Sequence, residues 1–327
     1  MEKRNFLKGL LMFGMVLVLI MIGDSASFAQ KDYPNREIEM VIPMGAGGMV
    51  DITTRLINEE LSKNLGVPVV VVNKPGASGS VGAHYAAKAK PDGYTIMGAS
   101  QSTFVLLPIL MENLPYKPSD FVPIAKIIST PLLFVVRKDA PWKTLEELIN
   151  FAKKNPGKLT CAMTGMGSSA HFVLEMLKLE AGIQIQAVPF KGGGEQNAAL
   201  MGGHVDLNST TLNPVLPLLK SGDVRALVTP KKMKEFPEVP TLSEKGYSGV
   251  ALTSWVGYAG PKGIEKSVVD KIANALEKAV KVPSAVKKLE ETGSQVDYVA
   301  REEFAREMEM EIKRLADVVK KAKIIMK

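Results

Sequence analysis

The sequence predicts an α/β fold built as two similar lobes, and two observations carry that reading. From Arg36 onward, short β-branched runs alternate with amphipathic helical stretches, the pattern of α/β layers with mostly parallel sheets. Each half also contains a strand that passes through a Gly/Ser loop into a helix, as in "VIPMGAGGMVDITTRL" and again in "LTCAMTGMGSSAHFVLEM". At 327 residues the chain is long enough for two such lobes.

The elements follow in order. Lys3, Arg4 and Lys8 precede an apolar run from Leu10 to Ile22, and Ser27-Phe28-Ala29 supplies a small-x-small cleavage pattern. The run is short of the roughly 20 residues of a membrane span, so residues 1–29 read as a removable signal peptide. An uncleaved anchor is the alternative; the absence of a Cys after the run argues against a lipoprotein. "EIEMVI" is the first strand, and Ile52, Leu56, Ile57 and Leu61 give the next helix an apolar face. "VPVVVVN" is a strand, "VGAHYAAKAK" a short helix closed by "PDGY", and "TIMGA" a third strand, a βαβαβ unit with right-handed crossovers expected.

A second series begins near "PLLFVVRKD". Helix "TLEELINFAKKN", strand "KLTCAM", helix "HFVLEMLKLEAG", strand "IQAVPF", the loop "KGGG" with its helix, and the strands "HVDLNST" and "VRALVTP" follow. After the Pro-rich "EFPEVPTLSEKGY", "TSWVGYAGPKG" reads as a return strand. The terminal helix aligns Phe304, Met308, Ile312, Leu315 and Val319 on one face, which must pack on a core.

Composition narrows the function. The formal charge is +7, of which +6 remains once the leader is removed. Basic residues are interleaved with acids, as in "REEFAREMEMEIKR", a solvated helix face rather than a nucleic-acid surface. The lone Cys161 cannot form an internal disulfide and reads as a buried apolar residue, with a reactive thiol the lesser alternative.

The familiar glycine motifs fail. A dinucleotide fingerprint starting at Gly45 needs a third glycine where Val50 stands, and an acid at the end of the second strand, where Asn73-Lys74 stand. No phosphate loop is present, and "GASGS" misses the G-x-S-x-G elbow by one position. His84, His171 and His204 lack metal-ligand spacing. No cofactor or metal is therefore expected. What these loops share is a helix start whose unpaired N–H groups attract an anion without Arg or Lys. Gly47-Gly48, Gly76 to Gly79 and Ser168-Ser169 are three such places.

"YPNREIEMVIPMGAGGMVDITTRL", "VVVVNKPGASGSVGAHYAAKAKPDGYTIMGAS", "TGMGSSAHF", "VPFKGGG", "GGHVDL" and "VPTLSEKGY" occur in one order along essentially the whole mature chain. In this combination the chain resembles the Bug-type receptors, the periplasmic solute-binding proteins of tripartite tricarboxylate transporters. The resemblance implies a type II periplasmic-binding-protein Venus flytrap of two α/β lobes joined by two crossing strands. Residues 30–131 with 251–327 would form one lobe and 132–250 the other, hinged near Pro131 and Trp255. It also implies a monomeric periplasmic receptor without catalysis, a small carboxylate as ligand, and membrane transporter subunits as partners.

Carried over by motif, the resemblance offers Ala46, Gly47, Gly48 and Asp51 from the first loop. It adds Gly76, Ala77, Ser78 and Gly79 from the second, and Ser100 after the third strand. The other lobe offers Thr164, Gly167, Ser168, Ser169, His171, Lys191, Gly192 and Asp206. Bland alternatives stand beside several of these: Asp51 as a helix-start carboxylate, His171 as a helix-start ring, Lys191 as a solvated charge, Asp206 as a turn brace and Gly192 as turn geometry. The family usually places an aromatic residue at Met44 and a Tyr at Phe190, so another member's ligand does not transfer. A sensor that reports to a membrane kinase and a periplasmic enzyme are the rival functions.

Overall fold

The computed structural model describes residues 33–322. The signal-peptide reading falls on residues outside this range, and the described residues from Arg36 onward form one compact unit. The first half opens with β1 (Ile38–Ile42), α1 (Met49–Leu65), β2 (Val69–Asn73), α2 (Ser80–Ala87) and β3 (Thr95–Ser100). β1 lies between β2 and β3, parallel to both. Strand β1 is almost fully buried, whereas β2 is an edge and exposes Val70. A π-turn (Ser102–Leu106) and the short helix α3 (Leu107–Leu110) lead on to β4 (Phe121–Arg137).

β4 organises the molecule. It has seventeen residues, nearly all buried, because both of its ends are sheet interior. Through Pro131 it pairs antiparallel with β9 (Thr253–Pro261), which in turn pairs antiparallel with β3. From Leu132 it pairs with β7 (Leu207–Thr211) and β8 (Val224–Val228) of a second sheet. The first sheet thus runs β2-β1-β3-β9-β4, with β10 (Gln295–Ala300) on the far side of β4. The second runs β6-β5-β7-β4, where β5 is Leu159–Thr164 and β6 is Ile185–Phe190, with β8 also on β4. The expectation of mostly parallel sheets holds for β1–β3 and β5–β7; the strands around β4 are antiparallel because the chain crosses and returns there.

In the second half α4 (Leu145–Lys154), α5 (Ser169–Ala181), α6 (Gly193–Met201) and α7 (Leu212–Ser221) cover the sheet. Residues 229–252 make the return to β9, and α8 (Lys266–Lys281), α9 (Pro283–Glu291) and α10 (Arg301–Ala322) complete the first half. The stripe on α10 packs as its spacing requires: Phe304, Leu315 and Val319 are buried, with Met308 and Ile312 against the same core. On α1 the expected face is met only in part: Ile57 and Leu61 are buried, but Ile52 and Leu56 are half-buried, and the face turns instead toward Val50, Thr53 and Thr54, where the Thr54 hydroxyl meets the Tyr258 hydroxyl of β9 at 2.8 Å. Cys161 is fully buried, and burial pushes its thiol far above the ordinary range, so it is an inert core residue.

Candidate functional site

The loops that follow parallel strands β1, β2 and β3 leave the carboxyl edge of the first sheet, and those after β5, β6 and β7 leave the carboxyl edge of the second. Ligands in α/β sheets bind at such edges. Two contacts set the edges face to face. The Ser78 hydroxyl donates to the Met166 carbonyl at 2.9 Å, and the Ser169 N–H donates to the Ser102 hydroxyl at 3.0 Å.

In the first loop Ala46 and Gly47 are exposed. Gly47 takes φ +77, a left-handed turn, whereas Gly48 takes φ −80 at the start of α1, where no side chain caps the helix. Asp51 is buried, and its oxygens are occupied: Oδ2 accepts the Gly47 N–H at 2.9 Å, and Oδ1 accepts Arg55 Nε at 2.9 Å and the Asn73 amide at 3.0 Å. Burial presses the Asp51 carboxyl upward, but these bonds and the Arg55 charge outweigh it and hold the group below the usual carboxylate value. Asp51 therefore shapes the loop, and the Gly47 N–H is spent on it rather than open to an anion.

The second loop is strained. Gly76, Ala77, Ser78 and Gly79 all have positive φ, including two L-residues at +43 and +57. Left-handed backbone costs such residues about 1–2 kcal/mol each, and the contact of Ser78 with Met166 holds the loop in place. Met44 packs beside Gly79, where a Cβ would meet its Cε at 3.0 Å. Ser100 is buried at the end of β3.

On the facing edge, Thr164 ends β5, half-buried. The Gly167 N–H donates to His171 Nδ1 at 3.1 Å, which leaves the ring proton on Nε2, 3.6 Å from Glu175 Oε1. His171 is thus buried as a staple of its loop, not turned to solvent. Ser168 caps α5 by accepting the His171 N–H at 3.1 Å, and the Ser169 hydroxyl donates to Gln101 Oε1 at 2.9 Å. The start of α5 is in this way filled by protein groups, while the starts of α1 and α6 carry no side-chain cap. Gly192 begins α6 with open space where a Cβ would be, and Lys191 is exposed beside it.

Asp206 is not brought to this place. Its carboxylate accepts the Thr160 N–H and hydroxyl, both at 2.8 Å, at the beginning of β5, whereas the site lies past its end at Thr164. Asp206 braces the opposite edge of the sheet, as the turn-brace alternative has it. Gln101, Ser102 and Asn73 take part in the loop geometry and were absent from the sequence-based set. The polar run Ser100-Gln101-Ser102-Thr103 between apolar "TIMGA" and "FVLLPIL" is the signal that marks the first two. Among the described residues no cluster of three His, Cys, Asp or Glu could hold a metal, and no helix is long and apolar enough to cross a membrane.

Comparison with known proteins agrees with this geometry. The model of the tripartite tricarboxylate transporter family receptor matches residues 53–324. The Bordetella pertussis protein BugT is 31% identical over 302 residues, covering 91% of this chain and 93% of its own. A protein encoded in the gbd 5' region of Cupriavidus necator is 33% identical over 331 residues, covering 99% and 97%. Among solved structures, the periplasmic binding protein BugD superposes with a TM-score of 0.84 at 32% identity, covering 90% of this chain and all of BugD. MatC of Rhodopseudomonas palustris, solved with malate, gives 0.83 at 31%, covering 88% and 100%. A second R. palustris protein, solved with adipate, gives 0.85 at 31%, covering 90% and 99%. The fold is that of the periplasmic binding proteins, and the chain belongs to the tripartite tricarboxylate transporter receptor family.

Proposed function

We propose that this chain is an exported receptor that captures a small carboxylate between two lobes and delivers it to the membrane subunits of a tripartite tricarboxylate transporter. The observation that carries the reading is that the carboxyl edges of the two sheets face each other through Ser78–Met166 and Ser102–Ser169, with uncapped helix starts at Gly48 and Gly192 on those edges. Uncapped starts hold an anion by oriented N–H groups and the helix dipole. The lobes divide at 131/132 and 250/251, the leader ends at Ala29, and the mature protein works in the periplasm without catalysing a reaction.

The ligand-contacting set follows from which groups are unspent. Gly48, Gly192, Thr164 and the Lys191 ammonium face the ligand, the Lys191 N–H being taken by Glu195 Oε2 at 3.2 Å; Ala46, Gly76, Ala77 and Gly79 shape the walls with Met44 and Phe190. Asp51, Gly167, Ser168, Ser169, His171 and Ser78 hold the loops. MatC and the adipate-bound relative carry dicarboxylates, which supports a small carboxylate here. Mass spectrometry of ligand released from freshly purified protein, followed by calorimetry with the identified acid, tests the reading. A saturable carboxylate supports it; conversion of the acid to product favours an enzyme, and no binding by any small carboxylate refutes the proposal.

A further inference from the structure

The Ser102–Ser169 junction between the two edges includes a third side chain, Gln101, to which the ligand reading gives no part. Ser169, the first residue of α5, donates its N–H to Ser102 Oγ at 3.0 Å and its hydroxyl to Gln101 Oε1 at 2.9 Å, while the two serine hydroxyls lie 3.2 Å apart. All three residues are buried, Gln101 completely. The other end of Gln101 faces its own half: Nε2 donates to the Thr253 carbonyl at 3.3 Å and to the Glu311 carboxylate of α10. The second oxygen of Glu311 accepts Trp255 Nε1 of β9 at 2.9 Å. One turn earlier on α10, Glu307 holds Lys126 of β4 at 2.7 Å, with Asp297 of β10 on the same ammonium at 3.1 Å. Helix α10 thus grips β4 and β9 and, through Gln101, the first turn of a helix in the other half.

We propose that Gln101 is a positioning residue for closure: with Ser102 it clasps the start of α5, and through Glu311 it fixes the joined arrangement of the two halves to α10. The inference deepens the capture reading, since joining the edges is what encloses a ligand, but the bonds themselves involve protein groups alone. Opening would expose Gln101, Ser102 and Ser169 to water, which replaces part of each bond, so each contributes a modest net amount. Three bonds together shift an open–closed equilibrium by at least tenfold. A ligand then needs that much less preference for the closed form to hold it shut.

The test needs no ligand. Spin labels at Lys90→Cys and Lys153→Cys, exposed positions in opposite halves, report the separation of the halves by double electron–electron resonance, and buried Cys161 does not take label. The ligand-free parent should show a short distance, and Gln101→Ala, which removes one of the three bonds together with the link to Glu311, should raise the share of long distances several-fold. Ser102→Ala, a smaller change with little risk to folding, removes the other two bonds and should raise that share at least as much. A ligand-free parent that shows only the long distance overturns the proposal. Folded variants with unchanged melting temperature and the parent distribution overturn it too. Because no carboxylate enters the measurement, failure here leaves the capture reading standing, and failure to bind any acid leaves the clasp standing.

Discussion

Asp51→Asn tests whether the carboxylate organises the first glycine loop. The substitution keeps the size of the side chain but replaces one acceptor oxygen by an NH2 group. In the native protein Oδ2 accepts from Gly47 and Oδ1 accepts from Arg55 and Asn73. Whichever way the amide turns, its NH2 meets a donor. The cheaper orientation gives up the single Gly47 bond and keeps Oδ1 as an uncharged acceptor. A hydrogen bond to a charged group contributes about 1.5–3 kcal/mol. The half-exposed Arg55 regains water and adds little. The expected loss is therefore about 2–3 kcal/mol near neutral pH, read from urea midpoints by circular dichroism.

The pH dependence of that loss has a definite sign. An unfolded Asp titrates near about 3.9, and in the folded protein Asp51 titrates below that. Its stabilisation is therefore complete above about pH 4 and fades as the pH falls through the folded value. The Asn variant does not titrate, so the gap between the proteins is widest at neutral pH and narrows in acid. Equal midpoints at neutral pH, or a gap that widens on acidification, would refute the account of the loop.

The other predictions use the same assays. Gly48→Val should fold normally and lose ligand binding in calorimetry, since its φ is ordinary and a Cβ meets only the Gly45 carbonyl at 3.5 Å. Gly47→Ala should instead lower stability by about 1–2 kcal/mol, because its φ of +77 is left-handed. Lys191→Met should weaken the identified ligand only moderately; if it abolishes binding while Gly48→Val binds normally, the anion sits on the lysine and not on the helix start. Gly98→Ala should cost about 1–3 kcal/mol in urea unfolding, as its Cβ would press on Tyr258 at 2.9 Å, Ile42 at 3.2 Å and Thr54 at 3.3 Å. N-terminal sequencing of the native protein should begin at Gln30, and an intact Met1 on most molecules would instead identify an anchor.

The amino-acid sequence by itself determined the local features. Apolar periodicity specified the α10 stripe and the presence of α1, because a helix face is set by residues three and four apart, but the buried face of α1 is turned toward Thr53 and Thr54 and away from Ile52 and Leu56. The glycine runs specified the loops at the strand ends, because only glycine enters left-handed backbone without cost, as at Gly47 and Gly79. The tertiary structure alone decided which polar group meets which. The sequence reading starts a new series at "PLLFVVR", but only the pairing shows that "FVPIAKIIST" and "PLLFVVR" are one unbroken strand that changes sheets between Pro131 and Leu132. Asp51 and His171 lie in the loops their motifs indicate, yet each spends an acceptor on a glycine N–H of its own loop, and the second oxygen of Asp51 goes to Arg55 and Asn73. Asp206 sits in a recognisable turn but at the other end of its sheet, because β7 is parallel to β5 and begins beside the start of β5, near Thr160. The clasp joins Ser102 to Ser169 across 67 residues and Gln101 to Glu311 across 210. A hydrogen bond needs its partners within about 3 Å, and across such separations only the packing of β3, β9 and α10 brings them there.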